Sequence, residues 1–254
     1  MPIALLREVS PSFADAIVAH GGRQPDVALA IEQHSLYRRA LEAAGYSTEV
    51  LAGDPDHPDC VFIEDTAVVI GEVAVATRPG AEERRGEVGP VADRLAQSLP
   101  VRAMEEPGTL DGGDVMVMNG TVYVGRSSRS NDSGIDRLAD IAATQGMSLV
   151  SVPVSEVLHL KSAVLPVDHE TVVVTPGTVD ESLLEGLRIV HEADHERHRF
   201  SALPLVDGSL LVTANAEGTA GILSDLGMRP VPIDVSEIQA ADGGLTCMSI
   251  LFEG

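Results

Sequence analysis

The sequence predicts an α/β fold in which five ββαβ modules form a ring closed through the first and last strands, and three observations predict it. A unit of two short apolar runs split by a turn, then an amphipathic stretch and one further apolar run, recurs at a spacing of roughly 40 to 50 residues. The turn falls at a matching place in four of the copies. A fifth copy is completed only when the two ends of the chain are joined.

Each module can be justified in order. The joined copy places the run Met248–Phe252 beside Ile3–Leu6, followed by a helix over Pro25–Ala44 and a strand over Ser47–Leu51. In Thr66–Gly80 the pair Gly71-Glu72 breaks two β-branched runs, Val88, Val91 and Leu95 then keep helical spacing, and Val101-Arg102 reads as a strand. In Asp114–Gly125 the turn is Asn119-Gly120, the strongest short hairpin signal, with a helix over Ile135–Thr144 and a strand over Ser148–Val152. Ser162–Gly177 forms the next hairpin and predicts a helix from about Ser182 to Glu192. Ala202–Asn215 turns at Asp207-Gly208, ahead of a helix over Ala216–Leu226 and a strand over Val231–Ile233. A plain mixed sandwich with incidental hairpins competes with the ring, but does not account for the matching turns.

Composition bounds the function. The 254 residues are 44% hydrophobic and 22% charged, enough for a sizeable core, and no linker or composition shift divides them, so residues 1–254 read as a single domain. Seventeen Lys and Arg against 39 Asp and Glu leave a net charge of −22, which repels a phosphate backbone or an anionic membrane surface. No run reaches the roughly 18 apolar residues of a membrane span, and the start lacks a secretory pattern. Two cysteines, Cys60 and Cys247, are too few for a disulfide framework. A cytoplasmic protein with free thiols is expected, with neither nucleic acid nor membrane as partner; one exposed module edge can support a homodimer.

Chemistry-bearing residues recur just before the hairpins. Asp59, Glu64 and Asp65 lie in DCVFIED, Asp111 and Asp114 in TLDGGDV, His159 in VLHLKS, and Cys247 in DGGLTCMS. Each alone has a plain reading: a polar turn for DGGD, a core histidine for His159, a small buried hydrophobe for Cys247. In a ring, however, their common position at one edge of the modules gathers them around one opening. Carboxylates inside an apolar run are costly unless paired. A planar cation with forked donors, such as a guanidinium, would satisfy them and favour a nearby thiolate. That thiolate could attack the electron-poor central carbon while a histidine protonates the departing amine.

A competing motif is His191-Glu192-Ala193-Asp194-His195, which matches HExxH on the predicted helix and would make a zinc protease. The next histidine, His198, fits none of the extended zinc spacings, and HEADHERHR is polar all round, as at a solvated helix end. Cys60 reads as packing. Arginines in RPGAEERRGE and SSRSN are among the few cations available to hold a carboxylate.

Taken together, EQHSLYRRAL, DCVFIED, TRPGAEERRGE, PGTLDGGDV, HLK and DGGLTCMS occur in the order found in the dimethylarginine dimethylaminohydrolases, which the chain resembles nearly end to end. These belong to the guanidine-modifying pentein superfamily. The resemblance implies a five-fold pseudosymmetric ββαβ propeller and a Cys247–His159–Asp111 triad. It further implies that Asp65 binds guanidinium nitrogens with Asp59 and Glu64 shaping the pocket, and that Arg84 and Arg129 clamp the α-carboxylate. The carbonyls of Ile17, at an apolar lid position, and of Ala241 would also meet a guanidino amino-acid substrate. The implied reaction hydrolyses Nω-methylated arginines through a thiouronium adduct with no cofactor and no metal. Arginine deimination and amidino transfer by the same triad, or a non-enzymatic cation-binding role, stay open at this point.

Overall fold

The computed structural model describes residues 1–18, 23–196 and 200–254. In chain order, β1 (Pro2–Arg7), α1 (Val27–Ala43) and β2 (Ser47–Leu51) come first, then β3 (Ala67–Ile70), β4 (Val73–Ala76), α2 (Val88–Leu95) and β5 (Val101–Ala103). They are followed by β6 (Val115–Met118), β7 (Thr121–Arg126), α3 (Asp132–Thr144) and β8 (Ser148–Pro153). Next are β9 (Val164–Pro166), β10 (Thr171–Val174) and β11 (Arg188–His191), then β12 (Ala202–Pro204), β13 (Leu210–Thr213), α4 (Glu217–Asp225) and β14 (Pro230–Ile233). The short α5 (Ser236–Ala240) and β15 (Ile250–Glu253) end the chain.

The strands form five three-stranded sheets of one design: an antiparallel pair in which one strand also pairs in parallel with a third. The pairings are β3-β4-β5, β6-β7-β8, β9-β10-β11, β12-β13-β14 and β15-β1-β2. A parallel partner cannot be reached by a tight turn, so each module needs a crossover before its third strand. The last sheet joins the two ends of the sequence, with Pro2 opposite Glu253 and Leu5 opposite Ile250. The β6–β7 turn is made by Asn119 and Gly120, at φ 49° and 74°, the left-handed pair this hairpin requires.

The third crossover differs from expectation. The helix predicted over 182–192 does not form: a 3-10 turn, Glu181–Leu184, is capped by Asp180 accepting from the Ser182 N–H, and the chain then enters β11. Gly186, at φ 88°, turns the backbone out of the helical path, and Arg188–His191 pairs with β10 instead.

The chain folds as two compact units, Met1–Ile63 with Arg199–Gly254, and Glu64–His198. In the first, Leu6, Phe13, Tyr37, Leu41, Ile238 and Leu245 form the core, with the Phe13 and Phe62 rings edge-to-face at 5.9 Å. In the second there are two cores, one around Ile70, Leu110, Val122 and Leu138, the other around Leu160, Val164, Val172 and Leu184. Each such fully buried Leu or Phe side chain contributes roughly 1.5–3 kcal/mol. Among the described residues, a 3-10 turn ends within one residue of the first strand of four sheets: Ile63–Thr66 before β3, Gly112–Asp114 before β6, Leu160–Ser162 before β9 and Thr246–Met248 before β15. The candidate residues Asp65, Asp111, His159 and Cys247 lie in these turns or directly before them.

Candidate active site

Within Glu64–His198, three of the turns present their polar side chains to one another. His159, in extended conformation just before its turn, brings Nε2 to 3.0 Å from Asp111 Oδ2 and 3.9 Å from Asp65 Oδ1. The Gly80 N–H donates to Asp111 Oδ1 at 2.8 Å, and the Gly113 N–H to Asp65 Oδ1 at 2.9 Å. Asp111 is fully enclosed, and Asp65 and His159 are buried. The glycines of DGGD are explained by this crowding: a Cβ on Gly112 would run into the Glu64 carbonyl, and one on Gly113 would press on the His159 ring and Asp65.

Burial alone would hold His159 neutral, but Asp65, the hydrogen bond to Asp111 and the charge of Asp114 outweigh it and raise the imidazolium to about 9. Burial likewise favours a protonated Asp65, and His159 and Arg84 overcome it, bringing the carboxyl down to about 2. The result is a charged imidazolium between carboxylates at neutral pH. Burial pushes Asp114 up, against the serine hydroxyls that hydrogen-bond to it.

Arg84, expected at a substrate carboxylate, is buried and donates to carboxylates of its own chain: Nη1 to Asp65 Oδ2 at 2.5 Å, and Nε and Nη2 to Glu87 at 3.1 and 2.7 Å. Asp65 thus already accepts a planar guanidinium. Arg129 is half-buried, and among the described residues its guanidinium has no ion-pair partner. Glu64 accepts from Lys161 Nζ at 2.5 Å. The parts of Glu87 and Lys161 do not follow from sequence reasoning, though both lie inside the motifs named above, two to three residues from a predicted site residue; Asp114 is named there beside Asp111, but its hydrogen-bond partners are not legible.

Within the other unit, Cys247 is half-buried in the turn before β15, and the Gly244 N–H donates to its Sγ at 3.3 Å. A Cβ on Gly243 would strike the Phe62 ring, so close packing again accounts for a glycine pair. Ala241 is buried at the end of α5. Asp59 is buried and both its oxygens accept the Ile17 N–H at 3.2 Å, leaving the Ile17 side chain partly exposed. Cys60 is fully buried with the Asp54 N–H 3.4 Å from its Sγ, as packing predicts.

The HExxH motif does not lie on a helix. His191 ends β11 and bonds Glu181 at 3.0 Å, His195 is exposed in a 3-10 turn, and Glu192 and Glu196 are buried, so neither the shared helical face nor the solvated helix end exists. His198 lies outside the described residues. Among the described residues the group with metal-ligand spacing is Asp65, Asp111 and His159. Its positive charge is already supplied, by Arg84 and the imidazolium.

The family model described as N,N dimethylarginine dimethylhydrolase, eukaryotic, matches residues 19–197. The chain is 42% identical over 251 residues to the N(G),N(G)-dimethylarginine dimethylaminohydrolase of Streptomyces coelicolor, covering 97% of this chain and 95% of that one. It is 31% identical over 250 residues to the enzyme of the same name from Pseudomonas aeruginosa, covering 98% of each. A solved structure of the Pseudomonas aeruginosa enzyme, a cysteine-to-serine variant complexed with citrulline, superposes with a TM-score of 0.94 at 30% identity over 98% of both chains. Five sheets of one design and this likeness identify the five-fold ββαβ pentein fold. The chain belongs to the dimethylarginine dimethylaminohydrolase family.

Proposed function

We propose that the protein hydrolyses Nω-methylated arginines to citrulline and the corresponding methylamine, using Cys247 as nucleophile and His159, oriented by Asp111, as acid and base. One observation carries the reading: the buried His159 ring, hydrogen-bonded to Asp111, stands beside Asp65, a carboxylate that accepts a guanidinium. The relatives' activity supports the substrate class.

In this reading Asp65 accepts from the substrate guanidinium, with Asp59 and Glu64 shaping the pocket. Arg129 carries the larger share of the α-carboxylate, because Arg84 is committed to Asp65 and Glu87. The backbone carbonyls of Ile17 and Ala241 meet the amino-acid end. The Cys247 thiolate forms a C–S bond to the guanidinium carbon, giving a neutral tetrahedral adduct. The C–N bond to dimethylamine then breaks as His159 protonates that nitrogen, leaving an S-alkylthiouronium cation. Neutral His159 next takes a proton from water as its oxygen attacks the same carbon. Collapse expels the thiolate and forms the citrulline urea, and the remaining proton leaves with the amine as dimethylammonium. A histidine that holds its proton to about 9 is suited to the first, acid step at neutral pH.

The test is citrulline release from asymmetric dimethylarginine, monomethylarginine, arginine and agmatine, with Cys247→Ser as control. Turnover of the methylated arginines, abolished in the variant, is expected. Preference for arginine would move the substrate assignment, and no citrulline from any of the four would overturn the hydrolase reading.

A further inference from the structure

Asp114 is the fully buried carboxylate beside the His159–Asp111 pair that the proposed chemistry leaves unused. Its Oδ1 accepts the Leu160 N–H at 2.9 Å, and Leu160 directly follows His159. Its Oδ2 accepts both the Ser127 and the Ser130 hydroxyls at 2.6 Å. Ser127 Oγ in turn accepts the N–H groups of Arg129 at 3.0 Å and Ser130 at 3.3 Å, and Ser130 Oγ accepts the Asp111 N–H at 3.2 Å. Room for the carboxylate comes from Gly125 of β7, where a Cβ would collide with it.

We infer that Asp114 is a positioning residue from which three functional segments hang: the backbone bearing His159, the loop bearing Arg129 and, through the Ser130 hydroxyl, the backbone bearing Asp111. The inference rests on the reading above for the roles of those three residues. The donor inventory explains why a carboxylate is needed. Ser127 Oγ already accepts two N–H groups, so its hydroxyl can only donate, and Leu160 offers only a donor. An amide in place of Asp114 sets donor against donor in either orientation, whereas an ionised carboxylate accepts on all sides. Asp114 also adds its charge to those of Asp65 and Asp111, the other carboxylates facing His159; Arg84 lies beyond Asp65, and Lys161 of the adjoining turn is paired with Glu64.

The test compares Asp114→Asn, Ser127→Ala and Ser130→Ala with the wild-type full chain. Two readouts are used: the His159 imidazole titration by NMR, and kcat and KM for citrulline release. Asp114→Asn is expected to lower the His159 midpoint by about one unit and kcat at least tenfold. Ser127→Ala should mainly raise KM by loosening the Arg129 loop, and Ser130→Ala mainly lower kcat by loosening Asp111. A variant that loses thermal stability alone, with its midpoint unmoved and kcat within twofold, would overturn the inference. If Asp114→Asn does not fold, the split between the two serine variants decides: uniform or absent effects overturn it. If the wild type releases no citrulline, the proposed function fails, while the NMR titration still decides whether Asp114 governs His159.

Discussion

His159 is where burial and charge meet most directly. Its folded value of about 9 lies above the ordinary 6.5, so the imidazolium contributes stability that is fully present below pH 6.5 and is lost as pH rises through 9. Asp65, held at about 2, works in the opposite window: its contribution is present above the ordinary 3.8 and is lost as pH falls through 2. The expected outcome is a urea midpoint that declines between pH 6.5 and 9, by on the order of 3 kcal/mol in stability, with most of that slope absent in His159→Gln. A slope identical in the variant would reassign the alkaline loss to other groups. The candidate acids and the histidine are legible in the sequence because they recur just before the hairpins. Commitment of Arg84 to Asp65 and Glu87 is not, since RPGAEERRGE reads equally well as solvated charge until its burial is seen.

At the scale of elements, hairpins and third strands are the readable part, because Asn119-Gly120, Gly71-Glu72 and Asp207-Gly208 mark the turns and the β-branched runs mark the strands. The third crossover departs from its predicted helix for a physical reason: the apolar spacing of Leu183, Leu184, Leu187 and Val190 follows the helical period, but the positive φ of Gly186 breaks that path before β11. The 3-10 turns are not readable, being too short to show a period. Two glycines test their importance against an ordinary turn. Gly120 faces open space, so Gly120→Ala is expected to cost only its left-handed backbone conformation, about 1–2 kcal/mol. Gly112→Ala places a methyl against the Glu64 backbone and should cost more, roughly 2–3 kcal/mol, together with activity. Thermal denaturation of the two variants checks the order; equal losses would remove the close-approach argument for the GG pair.

At the scale of the whole molecule, the ends of the sequence are one structural element. Met1 and Gly254 exchange backbone hydrogen bonds at 3.2 Å, and β1 sits between β15 and β2. A circular permutant joining these ends by a short linker and opened at Asn119–Gly120 is expected to keep the fold, measured by circular dichroism and thermal melting, because β1, β15 and β2 retain every partner. Cuts inside β1 should abolish folding. The closure is legible only as a count, since one module can be completed in no other way. Which residues pair across it, Pro2 with Glu253 through Leu5 with Ile250, needs the structure.

The β1–β15 pairing also imposes an order in time. Its strands are the most distant in sequence of any pair, so closing them carries the greatest loop entropy, whereas β6–β7 and β3–β4 need only a tight turn. Cys247 sits in the turn that leads directly into β15. Recovery of the native environment of the Cys247 thiol on dilution from denaturant, read by its rate of alkylation, should therefore trail the recovery of far-ultraviolet ellipticity. In the permutant, where β15 and β1 become a local hairpin, that lag should shrink or vanish. On the proposed function, the thiol that attacks substrate is then expected to be set in place by the last contact to form, so that an unfinished molecule cannot yet carry out the chemistry.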